Sequence, residues 1–444
     1  MHNLTLFLPC PAGVEDFLLA EVQAICPAAA ASAQRQRGGV ELTGTWDDML
    51  RLNLHSRLAQ RVLVRLALQP CPHEDALYQA AAHQVLWELW FTPAQTFKVE
   101  LTAHQCPFQS LNFAALRIKD AVCDRMRERF GQRPSVDTVQ PQVRLHAHLG
   151  PDQVWLYIDT SGEPLFKRGW RSDTGDAPLK ETLAAAMIAA SGWTGLDAQG
   201  QPQPLYDPCC GSGTVAIEAA QRALQIAPGK LRRFGFERLL PHRPERWQAL
   251  RLQAEAAERP LPGGQPLVFG SDVSFRMVDF ARRNAERAGV AHAIEWRGGD
   301  ALERLPPCPT PGVMLLNPPY GERIAAAGVA GQPAQERARA QPGSPPGPSQ
   351  GAGRESARHA DGQENADFFA QLASHWKKHY AGWTAWLLTP DPQLPGQMRL
   401  KPSRRVPLWN GPIECRLFRF DLVAGSARTP RAGAGTRPES QPPQ

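Results

Sequence analysis

At 444 residues the chain is too long for one ordinary domain and has room for two or three, with loose polypeptide attached. Hydrophobic residues make up 42%, enough to fill cores, while 42 prolines and 37 glycines mark stretches that cannot. The net charge of +6 permits a polyanionic partner without requiring one. Nine cysteines with no C-x-x-C pair argue against structural zinc and against a closed disulfide framework. No apolar run is long enough for a bilayer, and the start lacks the pattern of a secretory leader, so a soluble cytoplasmic protein with reduced thiols is expected.

Residues 1–160 alternate short strand and helix patterns. Leu4 to Leu8 predicts a strand, Gly13 to Ile25 and Trp46 to Leu58 helices, and Arg61 to Leu68 a strand with Val62, Val64, Leu66 and Leu68 on one face. His73 to Trp90 has a helical pattern, Thr96 to Ala103 an extended one, and Leu111 to Phe130 a helical one. Val143 to Leu149 and Val154 to Asp159 alternate with period two, the first placing Val143, Leu145, Ala147 and Leu149 inward. The region is therefore a small α/β or α+β unit. Its fourth helix and the loop after it carry Arg117, Lys119, Arg125, Arg127, Arg129 and Arg133, which suit either an ion-paired solvated face or a phosphate-contacting surface. His146 and His148 share a strand face but lack a third ligand nearby, which favours structural or RNA-facing roles over metal binding.

Residues 161–424 predict a larger α/β unit. A helix from Leu179 to Ala190 is followed by a strand from Pro204 to Asp207, a helix from Thr214 to Ala227, and a strand from Leu267 to Asp272. A helix through Arg287, strands near Ala293 to Arg297 and at Val313 to Leu316, and a helix carrying Phe368, Phe369, Leu372, Trp376 and Tyr380 come next. Trp383 to Leu388 is a further strand, and Arg404 to Leu422 a hairpin around Asn410-Gly411. This order predicts a mostly parallel sheet with an antiparallel pair at its edge. Residues 328–364 and 425–444 are rich in Gly, Pro and Arg and nearly free of large apolar residues, as expected of a disordered insertion and tail.

The sharpest motif is Asp207-Pro208-Cys209-Cys210-Gly211-Ser212-Gly213-Thr214, between a strand and a helix. It places a glycine turn at the carboxyl end of a parallel strand, where open α/β sheets bind ligands. No Gly-Lys-Ser/Thr follows, and residue 216 is Ala, so neither a P-loop nor a complete dinucleotide fingerprint is present. Asp207 would repel a pyrophosphate but favour an ammonium or sulfonium group, which points to S-adenosylmethionine. Asp272, with Val273 beside it, ends the next strand and can accept from ribose hydroxyls, while Asp300, followed by Ala301, can accept from an adenine amino group. About 34 residues inserted between Gly229 and Pro262 account for the long spacing from the glycine loop to Asp272.

Asn317-Pro318-Pro319-Tyr320 directly follows an apolar strand. The lone pair of an exocyclic amine is delocalised into its base, so a site must aim it and stabilise the charge that develops. The Asn317 side-chain oxygen and the Pro318 carbonyl can accept the two amino hydrogens, Pro318 and Pro319 stiffen the loop, and Tyr320 offers a stacking surface for a flipped base. Neither a metal nor a covalent intermediate is required. Cys209 and Cys210 adjoin the cofactor loop instead of the base-binding loop and suit packing better than nucleophilic attack.

With these motifs the chain resembles the bacterial THUMP-domain RNA methyltransferases, in particular the 23S rRNA guanine-N2 methyltransferase module. The resemblance lies in LFLPCPAGVEDFLLAEV at the start, LHSRLAQRVL at 54–63, LRIKDAVCDRMRERFGQRPSVD at 116–137, LFKRGWR at 165–171, APLKETLAAAMI at 177–188, DPCCGSGTVAIEAA at 207–220, LNPPYGERI at 316–324 and NGPIECRLF at 410–418. It implies an amino-terminal ferredoxin-like and THUMP region that binds structured RNA, then a Rossmann-like methyltransferase domain in which Lys180, Glu181 and Thr182 open a helix near the cofactor. The expected partner is 23S rRNA or a pre-ribosomal particle, with no membrane involvement. Residue 209 is Cys where Met is common in the family, and the fused guanine-N7 module of the long form is absent from this sequence, so one activity is expected. NPPY suits any exocyclic amine, which leaves a tRNA guanine or a DNA adenine as alternative substrates; a noncatalytic ribosome-assembly factor of the same fold is the third alternative.

Overall fold

The computed structural model describes residues 3–175, 178–318 and 367–423. Pro319, Tyr320 and the segments 328–364 and 425–444 lie outside the described residues.

The amino-terminal unit is built on one seven-stranded sheet. Its elements are β1 (Leu4–Pro9), α1 (Glu15–Ile25), β2 (Gln34–Gln36), β3 (Gly39–Gly44), α2 (Trp46–His55) and β4 (Leu63–Pro70), then α3 (Glu74–His83), β5 (Phe97–Ala103), α4 (Leu111–Phe130), β6 (Val143–Leu149) and β7 (Gln153–Asp159). The strand order is β2-β3-β1-β4-β7-β6-β5, antiparallel except for the β5–β6 pair. Local chemistry sets the helix starts: Thr45 and Asp48 form a reciprocal capping box on α2, and the Ser110 hydroxyl caps α4. On β6 the residues Val143, Leu145, Ala147 and Leu149 are all buried, as their alternation predicts.

Three expectations fail locally. On β4 the pairing with β7 shifts register between Arg65 and Ala67, so Ala67 turns inward and Leu68 is left 40% exposed; a bulge reverses the facing of every later side chain. The helix expected through Trp90 ends at His83, and the one expected through Ala227 ends at Ala223, just before Gln225 takes φ +56°. The six basic residues on and after α4 are all ion-paired: Arg125 and Arg129 with Glu88, Arg117 with Asp75, Lys119 with Asp120, and Arg127 and Arg133 with Asp124. This favours the ion-paired face over a free phosphate surface.

The second unit holds another seven-stranded sheet. It comprises α5 (Glu181–Ser191), β8 (Leu205–Asp207), α6 (Thr214–Ala223), α7 (Pro244–Ala256), β9 (Val268–Asp272), α8 (Phe275–Arg287), β10 (Ile294–Gly298) and β11 (Val313–Leu316). A helix over 367–379, here α9, leads to β12 (Thr384–Thr389), β13 (Arg404–Asn410) and β14 (Ile413–Asp421). The order β10-β9-β8-β11-β12-β14-β13 is parallel through β12, and β14 and β13 are antiparallel. The chain runs outward from β8 through β9 to β10 and then returns to β11 on the other side. A topological switch point therefore lies between β8 and β11.

Apolar side chains bury both faces of this sheet. One face, with α5 and α6, continues into the core of the amino-terminal unit; the other packs Tyr206, Met314 and Leu316 against Trp376 and Tyr380. The segment around α7 spans the two units instead of standing apart: Arg246 pairs with Asp47, the Leu240 N–H donates to Trp90, and the Gln95 amide donates to the Arg238 carbonyl. Between the units, Glu218 on α6 is fully buried and faces two arginines, Arg168 at 3.0 Å and Arg57 at 3.5 Å. Arg168 also donates to the Arg57 carbonyl, tying the turn after α2 to the helix that leaves the glycine loop.

Candidate active site

The four strands flanking the switch point set out the predicted site residues in register. Val313 and Met314 lie opposite Leu205 and Tyr206, so Asn317 leaves its strand beside the turn that follows Asp207. Gly270 lies opposite Asp207, and Gly298 opposite Asp272, which brings Asp207, Asp272, Asp300 and Asn317 to the same carboxyl edge of the sheet. Pro318 is buried there and Asn317 is half-buried.

The three acids lie close enough to act on one thiol. Burial, then the charges of Asp207, Asp272 and Asp300, hold the Cys209 thiol well above its ordinary pKa, and burial with Asp207 and Asp272 does the same to Cys210. Neither cysteine offers a thiolate, in keeping with packing roles. Asp207 is 2% exposed, and its carboxyl is pushed up to about 8, by burial and then by Asp272; a bond from the Cys209 N–H opposes this. Burial also raises the Asp272 carboxyl. Among the described residues no Lys, Arg or His comes within ion-pair distance of Asp207, Asp272 or Asp300. The buried Asp207 carboxyl, with Asp272 beside it and no cation near, favours a positively charged ligand.

Both oxygens of Asp272 also work within the protein. Oδ2 accepts from the Gly211 N–H and Oδ1 from the Ser274 N–H, each at 2.9 Å, so this acid holds the glycine loop as well as facing the site. Asp300 Oδ1 accepts from the Leu302 N–H at 2.9 Å, a turn-capping role, with Ala301 buried beside it. The two loop glycines differ. Gly211 has φ +52°, and a Cβ added there would meet nothing within 4 Å. Gly213 has φ +89°, and a Cβ there would sit 2.8 Å from the Trp296 ring and 2.9 Å from the Ala281 Cβ. Close approach of a ligand is thus open at Gly211, whereas Gly213 serves the packing of the loop onto α8 and β10.

Sequence reasoning missed the residues that clamp this loop from outside. Arg171 donates to Ser212 Oγ at 3.0 Å and to Thr214 Oγ1 at 2.8 Å, pairs with Glu181 at 2.8 Å, and lies over the Trp170 ring. Glu181, expected only to open a helix near the cofactor, is the buried counter-ion of this clamp. Asn284 on α8 is fully buried; its amide donates to the carbonyls of Ser212 and Asp173 and its oxygen accepts from the N–H groups of Ser172 and Asp173. Arg171 falls in a segment with no periodicity, so only its place in the LFKRGWR stretch could have drawn attention to it.

The structure holds His146 Nε2 3.3 Å from Glu100 and bonds His148 Nδ1 to Thr102, so the two histidines have structural partners. Among the described residues no group of three or more His, Cys, Asp or Glu could hold a metal ion, and no helix is long and apolar enough to cross a membrane.

Comparison with known proteins agrees with this arrangement. Residues 5–63 match the RlmL ferredoxin-like domain, 72–159 the THUMP domain and 168–332 the RMKL-like methyltransferase domain. The chain is 34% identical over 422 residues to the ribosomal RNA large subunit methyltransferase K/L of Psychromonas ingrahamii, covering 94% of this chain and 50% of that protein. It is 35% identical over 427 residues to the protein of that name from Syntrophotalea carbinolica, covering 95% and 54%. The chain thus spans about half the length of the curated relatives it matches. Among solved structures, SMU.472 in complex with SAH superposes with TM-score 0.77 at 24% identity, covering 95% of this chain and 98% of that one. TrmN from Thermus thermophilus superposes with TM-score 0.61 at 20% identity, covering 95% and 100%; both show a shared fold.

A parallel sheet with this switch point and acid-lined glycine loop defines a Rossmann-like methyltransferase domain, preceded by ferredoxin-like and THUMP domains. The chain carries RlmL ferredoxin-like, THUMP and RMKL-like methyltransferase domains, and its relatives include the ribosomal RNA large subunit methyltransferases K/L.

Proposed function

We propose that the chain methylates the exocyclic N2 amine of a guanine in 23S rRNA, with S-adenosylmethionine as donor. The observation that carries this reading is the placement of Asn317 beside the glycine loop at the switch point, on the sheet edge that also holds Asp207, Asp272 and Asp300. The names of the relatives support an rRNA substrate, and the THUMP match supports an RNA partner.

The residues fit S-adenosylmethionine, whose cationic amino-acid end supplies the positive charge that Asp207 lacks, while its ribose hydroxyls and adenine amino group offer donors to Asp272 and Asp300. Asp207, Pro208, Cys210, Gly211, Ser212, Gly213 and Thr214 would form the loop around it, with Asp272 and Val273 toward the ribose and Asp300 and Ala301 toward the base. When bound, the cofactor supplies an electrophilic methyl group. Asn317 Oδ1 and the Pro318 carbonyl would accept hydrogen bonds from the guanine amine, turn its lone pair out of conjugation and stabilise the positive charge that grows on nitrogen as it takes the methyl group, after which the nitrogen releases one proton to water. Pro319 and Tyr320 would complete this loop, Tyr320 by stacking on the flipped base. With the loop and the acids already held in place by Arg171, Asn284 and backbone bonds, the site needs little reorganisation when the amine arrives.

Nucleoside mass spectrometry of rRNA, tRNA and DNA from a deletion strain tests the assignment. Loss of N2-methylguanosine from 23S rRNA is expected; unchanged rRNA with loss of a methylated guanine from tRNA or of N6-methyladenine from DNA would overturn it. Asn317→Ala should lower turnover by at least about 100-fold with RNA affinity nearly unchanged. A wild-type protein that binds the RNA but transfers no methyl group would favour the assembly-factor alternative.

A further inference from the structure

β14 runs antiparallel to β12, so the turn that joins β13 to β14 lies at the carboxyl edge of the sheet, the edge that holds the site. The last pair between β12 and β14 is Thr389 with Arg416, and Ile413, Glu414 and Cys415 extend beyond it, paired with β13 alone. Asn317 follows Leu316, which lies opposite Leu387, so it leaves β11 level with Leu388 and hence with Leu417 of β14. Ile413 stands four residues past that level and two strands to the side. At about 3.3 Å per residue and about 4.8 Å between strands, the tip rises roughly 13 Å above the amine-acceptor loop and stands about 10 Å beside it.

The tip is stiff and its root is held. Asn410 pairs with Ile413 across the two-residue turn Gly411-Pro412, in which Gly411 takes φ +63° and proline fixes the next φ, the pattern of a type II′ hairpin. The Gly13 turn of the ferredoxin-like unit packs so closely on β13 that a Cβ there would fall 2.3 Å from the Pro407 oxygen, and Arg404 donates to the Ala190 carbonyl near the end of α5. Ile413 continues the row of Leu417 and Cys415, which are buried, but is itself 53% exposed. Arg416 pairs with Glu414 at 3.5 Å, so the tip carries no uncompensated acid to repel a phosphate.

We infer that this hairpin is an RNA wedge: Ile413 enters the base stack at the place vacated by the flipped guanine and keeps that base extruded toward Asn317. The inference rests on the proposed methylation of an RNA guanine and adds a positioning residue that lets the site act on a paired base. A guanine stacked in a helix cannot present its amine to a loop at a sheet edge without leaving the stack. The gap it leaves closes again unless filled, and an aliphatic side chain on a rigid support is the kind of group that proteins insert between base steps. Ile413 combines that chemistry with a stiff support beside the acceptor loop, on a hairpin braced against the amino-terminal unit.

Methyl transfer to one 23S rRNA fragment carrying the target guanine, presented either annealed to a complementary strand or single-stranded, tests the wedge in the full chain. Ile413→Ala should lower kcat/KM on the annealed RNA by about ten-fold or more and leave that on the single strand within about two-fold, and Ile413→Phe should retain most of the activity on the annealed RNA. Equal losses on both RNAs, no loss on either, or a wild type that methylates only the single strand would overturn the wedge and leave the functional assignment standing. A wild type that methylates neither form would overturn the functional assignment itself. Thermal unfolding and S-adenosylhomocysteine binding of Ile413→Ala should match the wild type, because the side chain is exposed; a fall in either would place the residue in folding or cofactor binding and overturn the wedge.

Discussion

Substituting alanine for Gly211 and, separately, for Gly213 should separate ligand binding from folding within one three-residue turn. Both glycines have positive φ, +52° and +89°, so either methyl group incurs about 1–2 kcal/mol of backbone strain. Part of that cost, about 0.4–1 kcal/mol, is offset because alanine restricts the unfolded chain. At Gly211 nothing else opposes the methyl, leaving a net loss of roughly 1 kcal/mol. At Gly213 the new Cβ sits 2.8 Å from Trp296 and 2.9 Å from Ala281, both on elements packed beneath the loop. Overpacking there adds about 1–3 kcal/mol, for a total of roughly 2–4 kcal/mol. Urea unfolding of the two variants should therefore show a clearly larger stability loss for Gly213→Ala than for Gly211→Ala. Titration with S-adenosylmethionine should show at least ten-fold weaker binding for Gly211→Ala, whose methyl enters the open side of the loop, with the smaller of the two stability losses. Full affinity in Gly211→Ala, or full stability in Gly213→Ala, would refute the division of roles.

Asp207 sets a pH dependence. Its folded carboxyl, at about 8, stands far above the ordinary value of 3.8, so its contribution to the stability of the free protein is complete below 3.8 and is lost as pH rises through about 8. Binding a cation favours the ionised form and expels the proton, so cofactor affinity should climb with pH, by at most about ten-fold per unit, and level off above about 8; Asp207→Asn should flatten that slope in calorimetry. Arg171→Ala should weaken cofactor binding and destabilise the protein by roughly 2–4 kcal/mol, since it frees Ser212 and Thr214 and leaves the buried Glu181 without its partner. Denaturation that leaves binding unchanged would show that the clamp does not set the loop. Arg168→Met should cost up to about 3–5 kcal/mol in chemical unfolding by leaving the buried Glu218 with Arg57 alone, and replacing all three together, Arg168→Met, Arg57→Met and Glu218→Leu, should recover much of it.

The parts of the fold legible in the sequence are those with a local cause. The alternation on β6, the strand–turn–helix around the glycine loop, and the hairpin at Asn410-Gly411 each follow from residues a few positions apart. The β4 bulge escaped because its cause is the partner strand, whose register is not written into Arg61 to Leu68. The fate of Arg117, Arg125 and Arg129 depended on Asp75 and Glu88, which lie more than thirty residues earlier in the chain. The acids and Asn317 were legible because strand ends announce themselves, whereas Arg171 and Asn284 reach the loop from a coil and a helix flank.

The arginine–glutamate knot between the two units has a consequence for how such a protein can change. Because Glu218 sits on the helix that leaves the glycine loop and its partners come from the turn after α2 and from the connecting segment, neither half has a self-contained boundary here. A chimera that exchanged the amino-terminal half for that of a distant relative would inherit half an ionic lock with no key. Successful grafts should have to carry residues 54–58 and 165–171 together with α6, so that the seam travels as one piece.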